Sequence, residues 1–239
     1  MGACVENWAY PAKPIWLAGS EIVRSPNSCL RNMQTPKVNN HPTKYQGQYW
    51  DFSNSSQHAN STVLSHWFYL LCAGGNGNNE GILFNVPALG FNRAERIIYR
   101  TLQILYSSSN FSAARNASIQ AAQYLFGSMS FEVIAVTNAW HAVGIGNRHL
   151  PVITSITGPT NTPNGQYATY WANTHPQLPY PTSYQWILNP QLNNNLYGTS
   201  SAVLDIAFYT AGDYQLVCRA FNQNDGGWGD YHVINVRVY

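Results

Sequence analysis

Ser130-Phe-Glu-Val-Ile-Ala-Val-Thr-Asn-Ala-Trp-His-Ala-Val-Gly-Ile-Gly146-Asn-Arg-His-Leu-Pro151-Val-Ile-Thr-Ser-Ile-Thr157 holds two hydrophobic periods in one stretch. Up to Val143 the apolar residues step by three and four, as Val133, Val136, Trp140 and Val143, which lines one face of an α-helix. The punctuation agrees. Ser130 is a good N-cap, Glu132 sits in the first turn where the helix dipole favours a negative charge, and Gly144 stands where a helix should stop. From Val152 the residues become β-branched and strand-like. Asn147 to Pro151 therefore reads as a linker between a unit at 1–146 and a unit at 152–239.

Upstream, the helical period continues. Val63, Trp67 and Leu71 lie four apart beside Leu64 and Phe68; Phe91, Ala94, Ile98, Leu102 and Leu105 step by three and four; Ala114, Ala117, Ala121 and Tyr124 do the same. Asn110 is a second N-cap, and Gly74 and Gly127 mark further ends. Four helices are predicted. The first 60 residues are irregular apart from a helical turn near Cys4 to Trp8, and Gly74-Gly75-Asn76-Gly77 reads as a turn, since it follows a helix and lacks a phosphate-loop lysine. Downstream, Val152–Thr157, Gln166–Ala172, Ser183–Leu188, Ala202–Phe208, Asp213–Phe221 and His232–Val238 are strand-length runs between Gly, Pro and Asn clusters. Six or seven short strands in this length predict a β-sandwich, with Trp186 inside a central strand and Tyr214, Leu216 and Cys218 alternating inward.

Composition narrows the function classes. Of 239 residues 45% are hydrophobic, 14% aromatic and only 9% charged, against about 25% charged in an average soluble chain. Asn, Ser, Thr, Gln and Tyr must carry the solvation, a common look for secreted proteins, so an extracellular location is expected. A net charge of +2 with scattered Lys and Arg leaves no basic stripe, so nucleic acid is a poor partner. No run approaches a membrane span. The opening Met1 to Trp8 reads like the middle of a helix, so a removed leader or a larger missing segment is expected. Cys4, Cys29, Cys72 and Cys218 form no metal spacing. Cys72 and Cys218 read as buried thiols, and Cys4 with Cys29 is a candidate disulfide. Four N-glycosylation triplets, at Asn54, Asn60, Asn110 and Asn116, are what an Asn- and Ser-rich chain produces by chance. Tyr167, Tyr170, Trp171, Tyr180, Tyr184 and Trp228 fit core or edge packing better than a sugar platform, but a glycan or cell-surface contact through the sandwich stays open.

Leu30-Arg31-Asn32-Met33-Gln34-Thr35-Pro36, then His41-Pro42, Tyr45, Gly47 and Tyr49-Trp50, then His58-Ala59-Asn60-Ser61 opening a helix at Trp67, is an ordered string. It resembles the C-terminal lobe of thermolysin-like zinc metallopeptidases, and matches run on in order through Tyr99-Arg100, Asn110-Phe-Ser, Leu125-Phe-Gly and Glu132-Val133. Ala211 to Asn222 resembles the closing strand of immunoglobulin-like and PKD-type domains, without the second cysteine of antibody domains. The fold expected is thus a mainly helical thermolysin C-terminal-like lobe plus an all-β Ig-like sandwich.

The resemblance implies hydrolysis of peptide bonds by zinc held on H-E-x-x-H and a further glutamate, with calcium nearby. None of the seven histidines pairs four apart, and the aligned third-ligand glutamate would precede residue 1, so zinc and general base are expected outside this chain and the chain alone is expected to be inactive. What the resemblance assigns here is the other wall of the cleft: His58 as donor to the oxyanion and Arg31 as holder of a primed-side carbonyl. The aspartate expected five residues before His58 is Ser53, the usual glycines are Ser55, Ser56 and Thr62, and Asp51 could substitute from two residues further off. Glu6 and Glu21 fit acidic calcium positions, but Ile15, Leu17 and Ser20 occupy others, too few for a six- to eight-oxygen site. The implied partners are a peptide or protein substrate and a separate zinc-bearing lobe, an apolar face around Arg31, His58 and Val63 being expected either to dock that lobe or to self-associate. The alternative is a stand-alone extracellular module that binds a peptide or glycan.

Overall fold

The computed structural model describes residues 1–11, 16–24, 29–53, 55, 57–128, 130–174, 181–189, 197–199, 201–222 and 227–239. Ile15, Asn54, Ser56, His175 and Tyr180 lie outside the described residues. The chain divides into two compact units, Met1–His149 and Leu150–Tyr239.

In the first unit α1 (Gly2–Ala9) is followed by the short ladder β1 (Leu17–Ala18) and β2 (Arg31–Asn32), a 3-10 turn at Pro36–Asn39, α2 (Gln57–Asn60) and α3 (Thr62–Ala73). A hairpin of β3 (Gly75–Asn79) and β4 (Ile82–Val86) leads to α4 (Gly90–Leu102), α5 (Phe111–Phe126) and α6 (Phe131–Ala142). The caps are where the sequence puts them: Asn110 Oδ1 accepts from Ala113 N at 2.9 Å and Ser130 Oγ from Val133 N at 3.3 Å. Each satisfies an amide that the first helical turn leaves without a partner. Gly74 and Gly127 end α3 and α5 with φ of 69° and 96°, values a side chain would resist.

The helices bury their apolar faces in one core. Val63 and Leu71 of α3 and Val136 and Ala139 of α6 are fully enclosed, and the Trp67 and Trp140 rings stack at 4.5 Å. Trp140 Nε1 donates to Ser118 Oγ at 2.7 Å, so α5 gives the buried indole its partner. α6 is buried nearly all round, and even Glu132 is 7% exposed, held by Arg93 at 3.0 Å. Two sequence readings are corrected. Gly75 to Gly77 is not a turn but an exposed strand, and the turn sits at Glu80-Gly81, both with positive φ (52° and 89°) as a two-residue hairpin requires. The Cys4–Cys29 disulfide is not formed: all four cysteines are free and buried, and Cys29 Sγ lies 3.8 Å from Asn39 Oδ1.

The second unit is a β-sandwich, as the strand spacing predicts. One sheet orders β10 (Val203–Ala207), β7 (Tyr167–Thr174) and β5 (Ile153–Thr157). The other orders β6 (Asn161–Thr162), β13 (His232–Val238), β11 (Gly212–Asn222), β8 (Ser183–Asn189) and β9 (Tyr197–Thr199), with β12 (Gly227–Trp228) also on β11. All pairs are antiparallel except β6 with β13. Tyr214, Leu216, Cys218 and Ala220 alternate inward along β11, and Trp186 sits opposite Cys218 in the register, fully buried. Tyr214 OH donates to Thr210 O at 2.8 Å, the hydrogen-bonded corner that Ig-like sandwiches use to fix a strand entry.

Candidate functional site

The β1–β2 ladder sets Ala18 opposite Arg31, and this short pairing fixes the start of the segment that carries the arginine. Two side chains on the first turns of α3 hold that segment down. His66 Nδ1 meets Met33 O at 3.0 Å, and Thr62 Oγ1 donates to Pro42 O at 3.2 Å as well as to Ala59 O. Between these anchors the 3-10 turn closes with Asn40 in the left-handed conformation (φ 55°), and His41 N donates to Pro36 O at 3.2 Å. The segment from Arg31 to Pro42 is thereby laid over the N-terminal half of α3.

His58 is fixed from the other side. Asn60, 8% exposed, clamps the chain before α2: its Nδ2 donates to Asp51 O at 2.8 Å and its Oδ1 accepts from Asp51 N at 2.9 Å. The Asp51 carboxylate accepts from Ser53 N at 2.8 Å, from Ser53 Oγ, and from Ser55 Oγ at 2.8 Å, so it orders the chain that leads to His58. His58 itself is exposed at the start of α2.

These supports bring Arg31, His41 and His58 to one cavity of about 440 Å³, whose remaining wall is Ala18, Gly19, Leu30 and Ala59. His41, which the family resemblance assigns no role, is the third polar side chain of this wall. Its imidazole is held below the ordinary range by burial and by the charge of Arg31, and its Nδ1 is buried without a hydrogen-bond partner. The His66 imidazole is likewise pushed down by burial, against the opposing pull of the Met33 carbonyl.

A second, apolar cavity of about 500 Å³ is lined by residues of α1, α3 and α4, among them Leu64, Trp67, Phe68 and Leu102, and by Met33 just after β2. Val63, expected on this face, is fully buried in the core; Leu64, one step round the helix and 38% exposed, takes that place. Trp67 Nε1 is buried there without a hydrogen-bond partner.

Among the described residues no three His, Cys, Asp or Glu side chains gather where they could hold a metal ion. Glu6 is half-buried at the edge of the apolar cavity and Glu21 is exposed. The described residues therefore do not fit the zinc or the calcium that the family resemblance implies.

The chain is 35% identical over 148 residues to the bacillolysin of Bacillus caldolyticus and to the thermolysin of Alicyclobacillus acidocaldarius, a match covering 60% of this chain and 26% of each relative. It thus spans about a quarter of the length of these curated relatives. Among solved structures, the PKD domain of an M14-like peptidase from a Thermoplasmatales archaeon aligns over 39% of this chain and 98% of its own, at 17% identity and a TM-score of 0.30. A family profile described as "Thermolysin metallopeptidase, alpha-helical domain" matches residues 1–145, the stretch that folds into the helical unit and carries Arg31, His41 and His58. The chain belongs to that family of thermolysin-type metallopeptidase helical domains.

Proposed function

We propose that this chain is the C-terminal half of a secreted zinc metalloendopeptidase, and that the cavity of Arg31 and His58 is the primed-side wall of its peptide-binding cleft. The observation that carries the reading is that Arg31 of β2 and His58 of α2 line one cavity, within the residues the family profile matches. The zinc, which in such enzymes activates water and polarises the scissile carbonyl, would be held by residues outside this sequence. His58 would donate to the carbonyl oxygen as it gains charge, and Arg31 would hold the next carbonyl on the leaving side. Alone, the chain would bind no stoichiometric zinc and cleave nothing. The apolar cavity beside Leu64 and Trp67 supports a lobe–lobe contact, since an apolar face of this kind is costly to leave in water.

The test is reconstitution. Mixed with an H-E-x-x-H lobe from the same source, the chain should cleave casein or a furylacryloyl dipeptide, and His58→Ala should lower turnover about 100-fold. Activity indifferent to both His58→Ala and Arg31→Ala would remove the assignment of these residues.

A second reading concerns the β unit alone. Tyr167 and Trp171 project from the same side of β7, 77% and 46% exposed, with Thr169 and its partner Asp205 between and beside them. Two exposed rings beside hydrogen-bonding groups support a glycan contact. Glycan-array binding lost in Trp171→Ala would support it.

A further inference from the structure

Arg31, His41 and His58 line the same cavity, His41 Nδ1 is buried without a hydrogen-bond partner, and neither the Arg31 nor the His58 side chain has a hydrogen-bond or ion-pair partner among the described residues. Among the described residues no carboxylate lines that cavity. The acids around it are already engaged. Glu80 holds Lys37 Nζ at 2.9 Å, Lys44 Nζ at 4.0 Å and Gln48 N at 2.8 Å, and Asp51 serves Ser53 and Ser55. The two lysines flanking His41 in sequence thus share the single Glu80 carboxylate, while no acid pairs with the cavity's own positive groups among the described residues. Buried polar atoms ordinarily find partners, so the buried, unpartnered Nδ1 of His41, beside the half-buried Arg31, is a group this wall leaves unmatched.

We infer that this cavity takes a peptide carboxylate, with Arg31 as its forked donor and His41 as a specificity-determining residue. The inference rests on reading the cavity as a peptide-binding wall. A guanidinium can meet both oxygens of a carboxylate in parallel, and an imidazole beside it supplies a third donor. The empty cavity makes His41 hard to protonate, because burial and Arg31 both oppose a second positive charge there. A bound carboxylate offsets both effects, so His41 takes up a proton when the site fills and adds a charge-assisted hydrogen bond that a neutral side chain could not draw out. A cleft wall built this way selects an acidic side chain or a peptide C-terminus over an apolar residue. Both sources offer the same group, and the experiment separates them.

The full chain is titrated with three short peptides that differ only in their charged group: glutamate with an amidated C-terminus, glutamine with an amidated C-terminus, and glutamine with a free C-terminus. Dissociation constants are read from the ring signals of the histidines by NMR. The expected result is about tenfold tighter binding of at least one carboxylate-bearing peptide than of the neutral one, with the His41 ring moving to its protonated position on saturation. The arm that gains affinity names the source. His41→Asn and Arg31→Gln should each erase most of the preference, while His141→Asn, in a histidine absent from the cavity wall, should keep it. Equal binding of all three peptides, no saturable binding of any, or a preference that survives both substitutions overturns the inference. If either variant fails to fold, the unmoved or moved His41 ring in the unaltered chain decides alone. Reconstituted peptidase activity without carboxylate preference sinks only this inference; carboxylate preference without reconstitution sinks only the proposed function.

Discussion

Lys37 Nζ lies 2.9 Å from Glu80 Oε1, and this pair joins the loop that carries His41 to the tip of the β3–β4 hairpin. The joint is wider than one ion pair. Thr43 Oγ1 donates to Asn79 Oδ1 at 2.8 Å, and Asn79 Nδ2 donates to Thr43 O at 3.1 Å and to Ala142 O at 2.9 Å. One hairpin tip therefore sets the height of the cavity wall relative to the end of α6.

Glu80 should register this in the acid range. Burial raises its pKa, but the hydrogen bonds from Lys37 and Gln48 and the charges of both lysines outweigh it, so the folded value is lowered. The unfolded chain then binds the proton more readily, and the stability Glu80 contributes is present above the ordinary carboxylate range and lost as pH falls through the lowered folded value. Thermal unfolding between about pH 6 and pH 3 should lose less for Glu80→Gln than for the parent chain. Parallel curves would show that the joint contributes nothing.

His66 acts at higher pH with the same sign for a different reason. Its folded pKa is depressed by burial, so below about 6.5 the unfolded chain takes up a proton that the folded one resists. Stability should be constant above that value and fall as pH drops from it to the lowered folded value. His66→Phe should flatten this window while losing the anchor on Met33 O. Circular-dichroism melts at about pH 7.5 and pH 5 measure both effects; an unchanged slope in the variant would assign the acid sensitivity elsewhere.

Ser118→Ala tests the core of the helical unit. It removes the acceptor of Trp140 Nε1 while leaving almost no cavity, so the buried indole N–H is left unpaired at a cost of about 1–3 kcal/mol. Trp140→Phe in the same background should then be milder than in the parent, because the orphaned donor goes with the ring. Strict additivity in urea melts would contradict this.

The proposed division at residues 147–151 predicts limited proteolysis into fragments of about 16 and 10 kDa. First cuts inside either unit, with that segment resistant, would move the boundary.

Local signals made most of the fold legible. The caps at Asn110 and Ser130, the helical steps through Trp67 and Trp140, and the alternation from Tyr214 to Cys218 are all set by residues within a few positions of one another. The hairpin was missed because Gly75 to Asn78 is exposed on both faces, so no burial pattern marks it as a strand. At the site, Arg31 and His58 could be picked out by their string. The groups that place them could not. Thr62 reaches back 20 residues to Pro42, His66 reaches 33 to Met33, and Asn79 joins positions 36 and 63 residues away, contacts that no periodicity records. His41 has no pattern of its own, and only its shared cavity with Arg31 reveals it.

The four buried thiols give each unit its own unfolding clock. Burial pushes the Cys218 thiol up to about 12 inside the sandwich and raises Cys72 strongly inside the helical core. Since the thiolate is the reacting form, both sulfurs are doubly silenced while the chain is closed, by lack of access and by lack of charge. A thiol reagent then labels each at the rate at which its surroundings open. Mass spectrometry of the labelled peptides would time the opening of two different interiors in one tube, and neither fold waits on an oxidant to form.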